Sequence, residues 1–273
     1  MDAGVLLNGF SVGILLFGDH PDLARRVLGS VLRLQSHSLI RSLRVAMNAV
    51  CDETRQLVHA WLSTETEIDE ILVYDSPVNR CKYPMMRKMF YDSAHPIITQ
   101  YMMWFDDDSC IAPDASQDWW RDVYAAMDNA DMLGHVWRLA INGNQREAIK
   151  AQAWYRGISI PAKVLFATGG WWTARTRHIQ KWNYPWPELV HNGGDSTLGA
   201  MLAQQRLKLV NYRTGVWVNA DQTGKSSSAP RRGESKRPVW YDYAPSKLYD
   251  LSHNNFEIVG VDLDNGGRGV ELP

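Results

Sequence analysis

Residues 101–110 read YMMWFDDDSC. An apolar run, Tyr101 to Phe105, passes without a break into three adjacent carboxylates, Asp106, Asp107 and Asp108. A short continuous apolar run bounded by polar residues is the pattern of a strand buried on both faces. Like charges crowded at its end repel one another unless solvent or a cation neutralises them. Mg2+ or Mn2+ takes hard oxygen ligands and is commonly held by one or two carboxylates together with a substrate's phosphates. Successive side chains of a strand point to opposite sides, but irregular backbone at its end can turn Asp106 and Asp108 toward one ligand. A solvated turn or a helix cap accounts for the same residues, so the stretch alone leaves both readings open.

The same strand-then-polar pattern recurs upstream. Val12 to Phe17 ends at Gly18 and Asp19, Leu43 to Met47 at Asn48, and Ile68 to Tyr74 at Asp75, Ser76 and Pro77. Between them lie helical spacings. Pro21 and Asp22 open a helix carrying Leu23, Val27, Val31 and Leu34; Asp52 is placed to cap one carrying Leu57, Val58 and Trp61; Met85 to Tyr91 reads as a third. Strands that alternate with helices imply an α/β fold, a mostly parallel sheet with helices on both faces. Such sheets bind ligands beyond the carboxyl ends of their strands. Asp19, Asn48, Asp75 and Asp106 would therefore gather on one rim.

Downstream, Ser116 to Met127 and Ser196 to Gln205 read as helices. Met132 to Trp137, Leu207 to Tyr212 and Val216 to Val218 read as strands, with a polar stretch at Asn142 to Gln145 and a Gly-Gly pair within Leu165 to Trp172. Thr223 to Pro238 is rich in Ser, Pro, Lys and Arg without apolar period, the pattern of a mobile linker. The expected division is one catalytic domain over 1–220 and a C-terminal extension over 221–273. Hydrophobic residues make up 45% and charged residues 22% of the 273, with a net charge of -1, so bulk charge recruits neither nucleic acid nor an anionic membrane. Cys51, Cys81 and Cys110 are too scattered for a zinc site or a disulfide framework. The apolar N-terminus is too short and interrupted to span a bilayer, which suggests a cytoplasmic protein. Twelve Trp and eleven Tyr suit both core packing and stacking against sugars or bases.

Four further segments carry a resemblance. VAMNAVCDETRQLV (45–58) has a strand entering an Asn48, Asp52, Thr54 turn; DSPVNRCKYPMMRKMF (75–90) sets Asn79 and Arg87 at a matching spacing. TGGWWTARTRHIQKW (168–182) places glycines before an aromatic pair, and HNGGDSTLGAMLAQQRLKLVNY (191–212) places a carboxylate at the start of a helix. In this order, over residues 10 to 220, the chain resembles family-two glycosyltransferases of the GT-A (Rossmann-like) fold.

The resemblance implies a set of roles. FDDDS would be the family's Asp-x-Asp motif, with Asp108 on a divalent metal, Asp106 on the metal or the donor's ribose, and Asp107 between them toward the sugar. Asn48, Asp75 and Arg87 would contact the donor, with Lys82 and Lys88 as weaker candidates. Gly169, Gly170, Trp171 and Trp172 would form an acceptor wall, and His191 would be an acceptor contact or a neighbour of the metal. Asp195 would be the catalytic base, with Gly194 standing where the family has Glu. The implied cofactor is Mn2+ or Mg2+, and the implied donor a UDP- or GDP-sugar. Transfer would go to an acceptor hydroxyl of a glycan, a protein or a modified DNA base, with inversion at the anomeric carbon. The run Arg231, Arg232, Lys236, Arg237 suits phosphate contacts but also a solvated linker. Two other readings compete: a metal-dependent nuclease or phosphohydrolase, and a non-catalytic sugar-binding module.

Overall fold

The computed structural model describes residues 6–63, 68–141, 143–187, 189 and 193–218. His191, the 223–238 linker, the basic run at 231–237 and the rest of the C-terminal extension lie outside the described residues.

The chain runs β1 (Leu7–Phe17), α1 (Pro21–Leu32), β2 (Ile40–Asn48), α2 (Asp52–Leu62), β3 (Glu70–Ser76), α3 (Lys82–Phe90), β4 (Thr99–Asp106), β5 (Cys110–Ile111) and α4 (Trp119–Ala126). It continues with β6 (Met132–Ala140), α5 (Gly143–Lys150), β7 (Lys163–Arg175), α6 (Thr176–Lys181), α7 (Gly194–Gln204), β8 (Leu209–Asn211) and β9 (Val216–Trp217). Seven strands form one sheet in the order β3-β2-β1-β4-β7-β6-β8, and β5 pairs with β9 separately. β1, β2, β3 and β4 pair in parallel, as do β6 and β8; β7 runs antiparallel to both its neighbours, β4 and β6.

Strand alternation divides the apolar side chains between two cores. Phe10, Val12, Ile14 and Leu16 of β1, Val45 and Met47 of β2, and Tyr101, Met103 and Phe105 of β4 pack with α1, α2 and α4. Leu15, Ala46, Met102 and Trp104 face the other way, onto α3, α5, α6 and α7. This is the two-faced burial that makes such strands read as unbroken apolar runs. Gly13 leaves room for the second core, since a Cβ there would lie 3.1 Å from the Trp104 ring.

Several boundaries differ from the sequence-based expectation. Helix α3 begins at Lys82, three residues before Met85. Pro84 falls in its first turn, where a missing N–H costs nothing. Strand β7 continues through Gly169 and Gly170 to Arg175: β6 pairs with it on both sides of the glycines, at Ala167 and at Trp172, with a register irregularity between, and β4 pairs with it from Trp171 onward. Helix α5 occupies the stretch that reads as polar loop, and Asp52 is the first residue of α2 instead of its cap.

The sheet reverses direction between β1 and β4: β2 and β3 extend to one side of β1, while β4 opens the other. In open α/β sheets this switch point is where a crevice forms above the strand ends. Asp106 sits there, in register with Leu15 of β1.

Candidate active site

Alternation separates the three carboxylates. Asp106 shares a face with Met102 and Trp104, so it points toward α3. Its Oδ1 accepts the Trp104 Nε1–H at 2.8 Å, and its Oδ2 lies 2.6 Å from the Lys82 ammonium. Asp107 turns to the opposite face and is buried, accepting the Phe17 backbone N–H at 3.2 Å. It ties the tip of β4 to the tip of β1 across the switch point, which corrects the expectation that it faces the sugar. Asp108 follows in a turn closed by the Ser109 N–H to the Asp106 carbonyl at 3.0 Å, and stays half-buried at the rim.

Lys82 is the group that sequence reasoning underweighted. It is the first residue of α3, a helix that starts at the rim because β3 ends there. Its Nζ donates to Asp106 and, at 2.7 Å, to the Gly169 carbonyl of β7. A Cβ on Gly169 would stand 2.8 Å from that nitrogen and 3.6 Å from Asp195 Oδ2. Gly169 is thus a close-approach glycine, and the approaching group is Lys82.

Arg87 lies five residues further along the helix, about 7.5 Å from Lys82 at the standard rise. Its guanidinium donates to the Pro185 carbonyl at 2.8 Å and the Asn183 Oδ1 at 3.0 Å, and stacks 4.6 Å from the Tyr91 ring centroid. These contacts fasten α3 to the 183–185 turn, and the expected donor role of Arg87 would have to compete with them.

Asn48 and Asp75 are likewise committed within the protein. Asn48 is buried; its Oδ1 accepts the Arg80 N–H at 2.7 Å and its Nδ2 donates to Asn79 Oδ1 at 3.0 Å. The same Asn79 oxygen accepts the Cys81 N–H at 2.7 Å. These bonds hold Cys81 at φ 65 and ψ 171, a region that side-chain-bearing residues avoid, immediately before α3. Asp75 receives Arg55 through two nitrogens at 3.0 and 3.3 Å.

Trp171 and Trp172 do not form a wall. As neighbours on one strand they point to opposite faces and fill one core each. Trp171, fully buried, packs against Trp119 and Tyr212, and Trp172 against Phe90 and Tyr184. Neither ring leaves a face for a sugar. Gly170 is buried beside them.

Asp195 is the second residue of α7, whose N-cap is Gly193 at φ 79. Its Oδ1 accepts the Ser196 N–H at 2.9 Å, and its backbone N–H donates to the Tyr83 hydroxyl at 3.2 Å. Burial, reinforced by the nearby carboxylates, holds the Tyr83 and Tyr184 phenols well above their ordinary pKa, so both remain protonated. Asp106, Lys82, Gly169 and Asp195 are thus brought together, from four different elements, at the switch-point rim.

No family model matches the sequence, and no curated protein does. Solved structures match in shape. GalNAc-T7, crystallised with UDP, GalNAc and Mn2+, superposes with a TM-score of 0.54 at 10% identity, over 77% of this chain and 43% of that one. Mannosyltransferase PcManGT from Pyrobaculum calidifontis, in complex with GDP-Man and Mn2+, superposes with a TM-score of 0.50 at 14% identity, over 77% of this chain and 56% of that one. The chain has the GT-A fold. This GT-A chain spans between 43% and 56% of the length of those two structures.

In this GT-A frame the residues fit a divalent ion at Asp108 better than at Asp106. Both Asp106 oxygens already accept hydrogen bonds, one of them from a cation. Among the described residues, no group of three or more His, Cys, Asp or Glu side chains could hold a metal. An Mn2+ or Mg2+ here would therefore complete its oxygen shell with ligand phosphates and water, the usual habit of such ions. Among the described residues no helix is long and apolar enough to cross a membrane.

Proposed function

We propose that this chain is a glycosyltransferase that takes a sugar from a nucleoside-diphosphate donor and passes it to an acceptor hydroxyl. What carries the proposal is the meeting of the Lys82–Asp106 pair with Asp195 at the switch point of a GT-A sheet. The superposed mannosyltransferase holds GDP-Man, and the superposed GalNAc-T7 holds UDP, which supports a nucleotide-sugar at the corresponding rim.

A departing nucleoside diphosphate develops negative charge that must be met by fixed cations. The Lys82 ammonium, anchored on Asp106 and the Gly169 carbonyl, supplies one such cation without reorganising. A divalent ion held by Asp108 would add Lewis-acid neutralisation of the diphosphate. Asp195, whose Oδ2 approaches the same face of Gly169 as the Lys82 ammonium, takes the proton from the acceptor hydroxyl as general base. The deprotonated acceptor oxygen then bonds to the anomeric carbon as the bond to the diphosphate breaks, a single displacement that inverts that carbon. The acceptor class is a hydroxyl-bearing glycan, protein or modified DNA base.

A thermal-shift screen of UDP- and GDP-sugars with and without Mn2+ tests the donor. A bound donor raises the melting temperature by mass action, and the ion should deepen the shift. Asp195→Asn should keep that shift while turnover falls by about 10²- to 10⁴-fold, the usual weight of a general base. The absence of a shift with every nucleotide-sugar, together with cleavage of plain DNA or RNA, would instead establish the nuclease reading.

A further inference from the structure

We infer that Tyr83 is a positioning residue for Asp195, acting as the missing cap of α7 and filling the space that a side chain at residue 194 would take. This rests on the reading of Asp195 as the base. A helix start leaves backbone N–H groups without intrahelical partners, and a side-chain oxygen on the N-cap residue normally accepts one. The N-cap of α7 is Gly193, which has none. The Asp195 N–H is taken instead by the Tyr83 hydroxyl, reaching in from α3 across 112 residues of sequence.

Gly194 completes the fit. A Cβ there would stand 2.3 Å from Tyr83 Cζ and 2.6 Å from its hydroxyl oxygen, so the phenol and any larger residue at 194 exclude each other. Tyr83 is itself fixed, buried at 3% exposure with Tyr184 set edge-on at 6.3 Å between ring centroids. With the backbone of Asp195 held by Tyr83 and Oδ1 spent on the Ser196 N–H, Oδ2 is the oxygen left toward Gly169 and Lys82. Lys82 and Tyr83 are consecutive. One turn of α3 therefore sets the donor-side carboxylate with one residue and the base with the next.

Were Tyr83 only packing, the phenyl ring would serve as well as the phenol. Tyr83→Phe is accordingly the test, read in two ways. The first is amide hydrogen exchange over residues 194–197, which needs no activity: exchange should quicken at least about tenfold, while β1 and β4 keep wild-type protection. The second is steady-state kinetics: kcat should fall about tenfold with the donor KM unchanged, because the Lys82 side of the site is untouched. Gly194→Ala, which displaces the ring, should give the same split, and combining the two changes should add little. Wild-type exchange at 194–197 in Tyr83→Phe overturns the inference whatever the enzyme's activity, as does an unchanged kcat. A wild-type protein that transfers no sugar, with exchange nonetheless quickened in the variant, would remove Asp195 as the base and leave Tyr83 as its cap.

Discussion

Lys82 and Asp106 form an ion pair at 2.6 Å in which the ammonium also spans to the Gly169 carbonyl, so a single lysine bridges α3, β4 and β7. Their side chains are 12% and 21% exposed, which keeps solvent screening low. Replacing Lys82 with Met should weaken nucleoside-diphosphate binding by roughly 10- to 100-fold, the weight of one charge-assisted hydrogen bond. Lys82→Arg should not restore it, since a planar fork cannot occupy the pocket that Gly169 leaves for a point charge. Isothermal titration with UDP or GDP measures this, and unchanged affinity in Lys82→Met would take the lysine out of the donor site.

Arg87 should behave in the opposite way. Arg87→Ala removes the contacts to Asn183 and Pro185 and should cost about 1–3 kcal/mol of folding stability in urea titrations. Donor affinity should be unaffected. A loss of affinity comparable to that of Lys82→Met would return Arg87 to the site.

Trp172 separates a core role from an acceptor wall. Trp172→Ala should destabilise by about 3–5 kcal/mol. Trp172→Phe should fold and keep the acceptor KM, because the ring contacts Phe90 and Tyr184 and no surface. A raised acceptor KM in the Phe variant, at unchanged stability, contradicts this assignment.

His135 makes stability depend on pH. Burial, aided by the charge of Arg213, pushes its imidazole down to about 4. The unfolded chain, with an ordinary histidine, takes up the proton first as pH falls. The contribution is therefore fully present above about 6.5 and is lost as pH drops toward 4, by roughly 3 kcal/mol in all. Urea titrations at pH 7 and pH 4.5 should show the loss, and His135→Gln should flatten it.

Much of the frame was legible because each parallel strand is an apolar run that stops at a polar residue, and that signal marks both the strand and its rim. Asp106 could be found this way, whereas Asp195, at a helix start, came only from the resemblance. What could not be read is where side chains at the rim spend their hydrogen bonds. Asn48, Asp75 and Arg87 have the right types at the right spacing, yet Asn79 and Arg80, Arg55, and Asn183 with Pro185 occupy them. Those partners lie up to 98 residues away. Lys82 was visible only as one lysine among others, because its weight depends on Pro84 being tolerated in a first turn, which moves the helix start to the rim. The tryptophan pair differs for another reason: the resemblance set both rings on one wall, whereas consecutive residues of a strand alternate faces, and Trp171 and Trp172 both lie in β7.

The backbone of Cys81 gives the site a point of failure separate from the fold. A residue with a side chain held at that φ and ψ costs of the order of 1–3 kcal/mol, and the Asn48–Asn79 clasp helps keep it there. Once that clasp opens, the residues immediately after it, Lys82 and Tyr83, lose their anchorage in one event. Warming should then silence the protein in a step below its melting temperature, with donor capture and proton abstraction vanishing at the same point while the seven-stranded sheet is still intact.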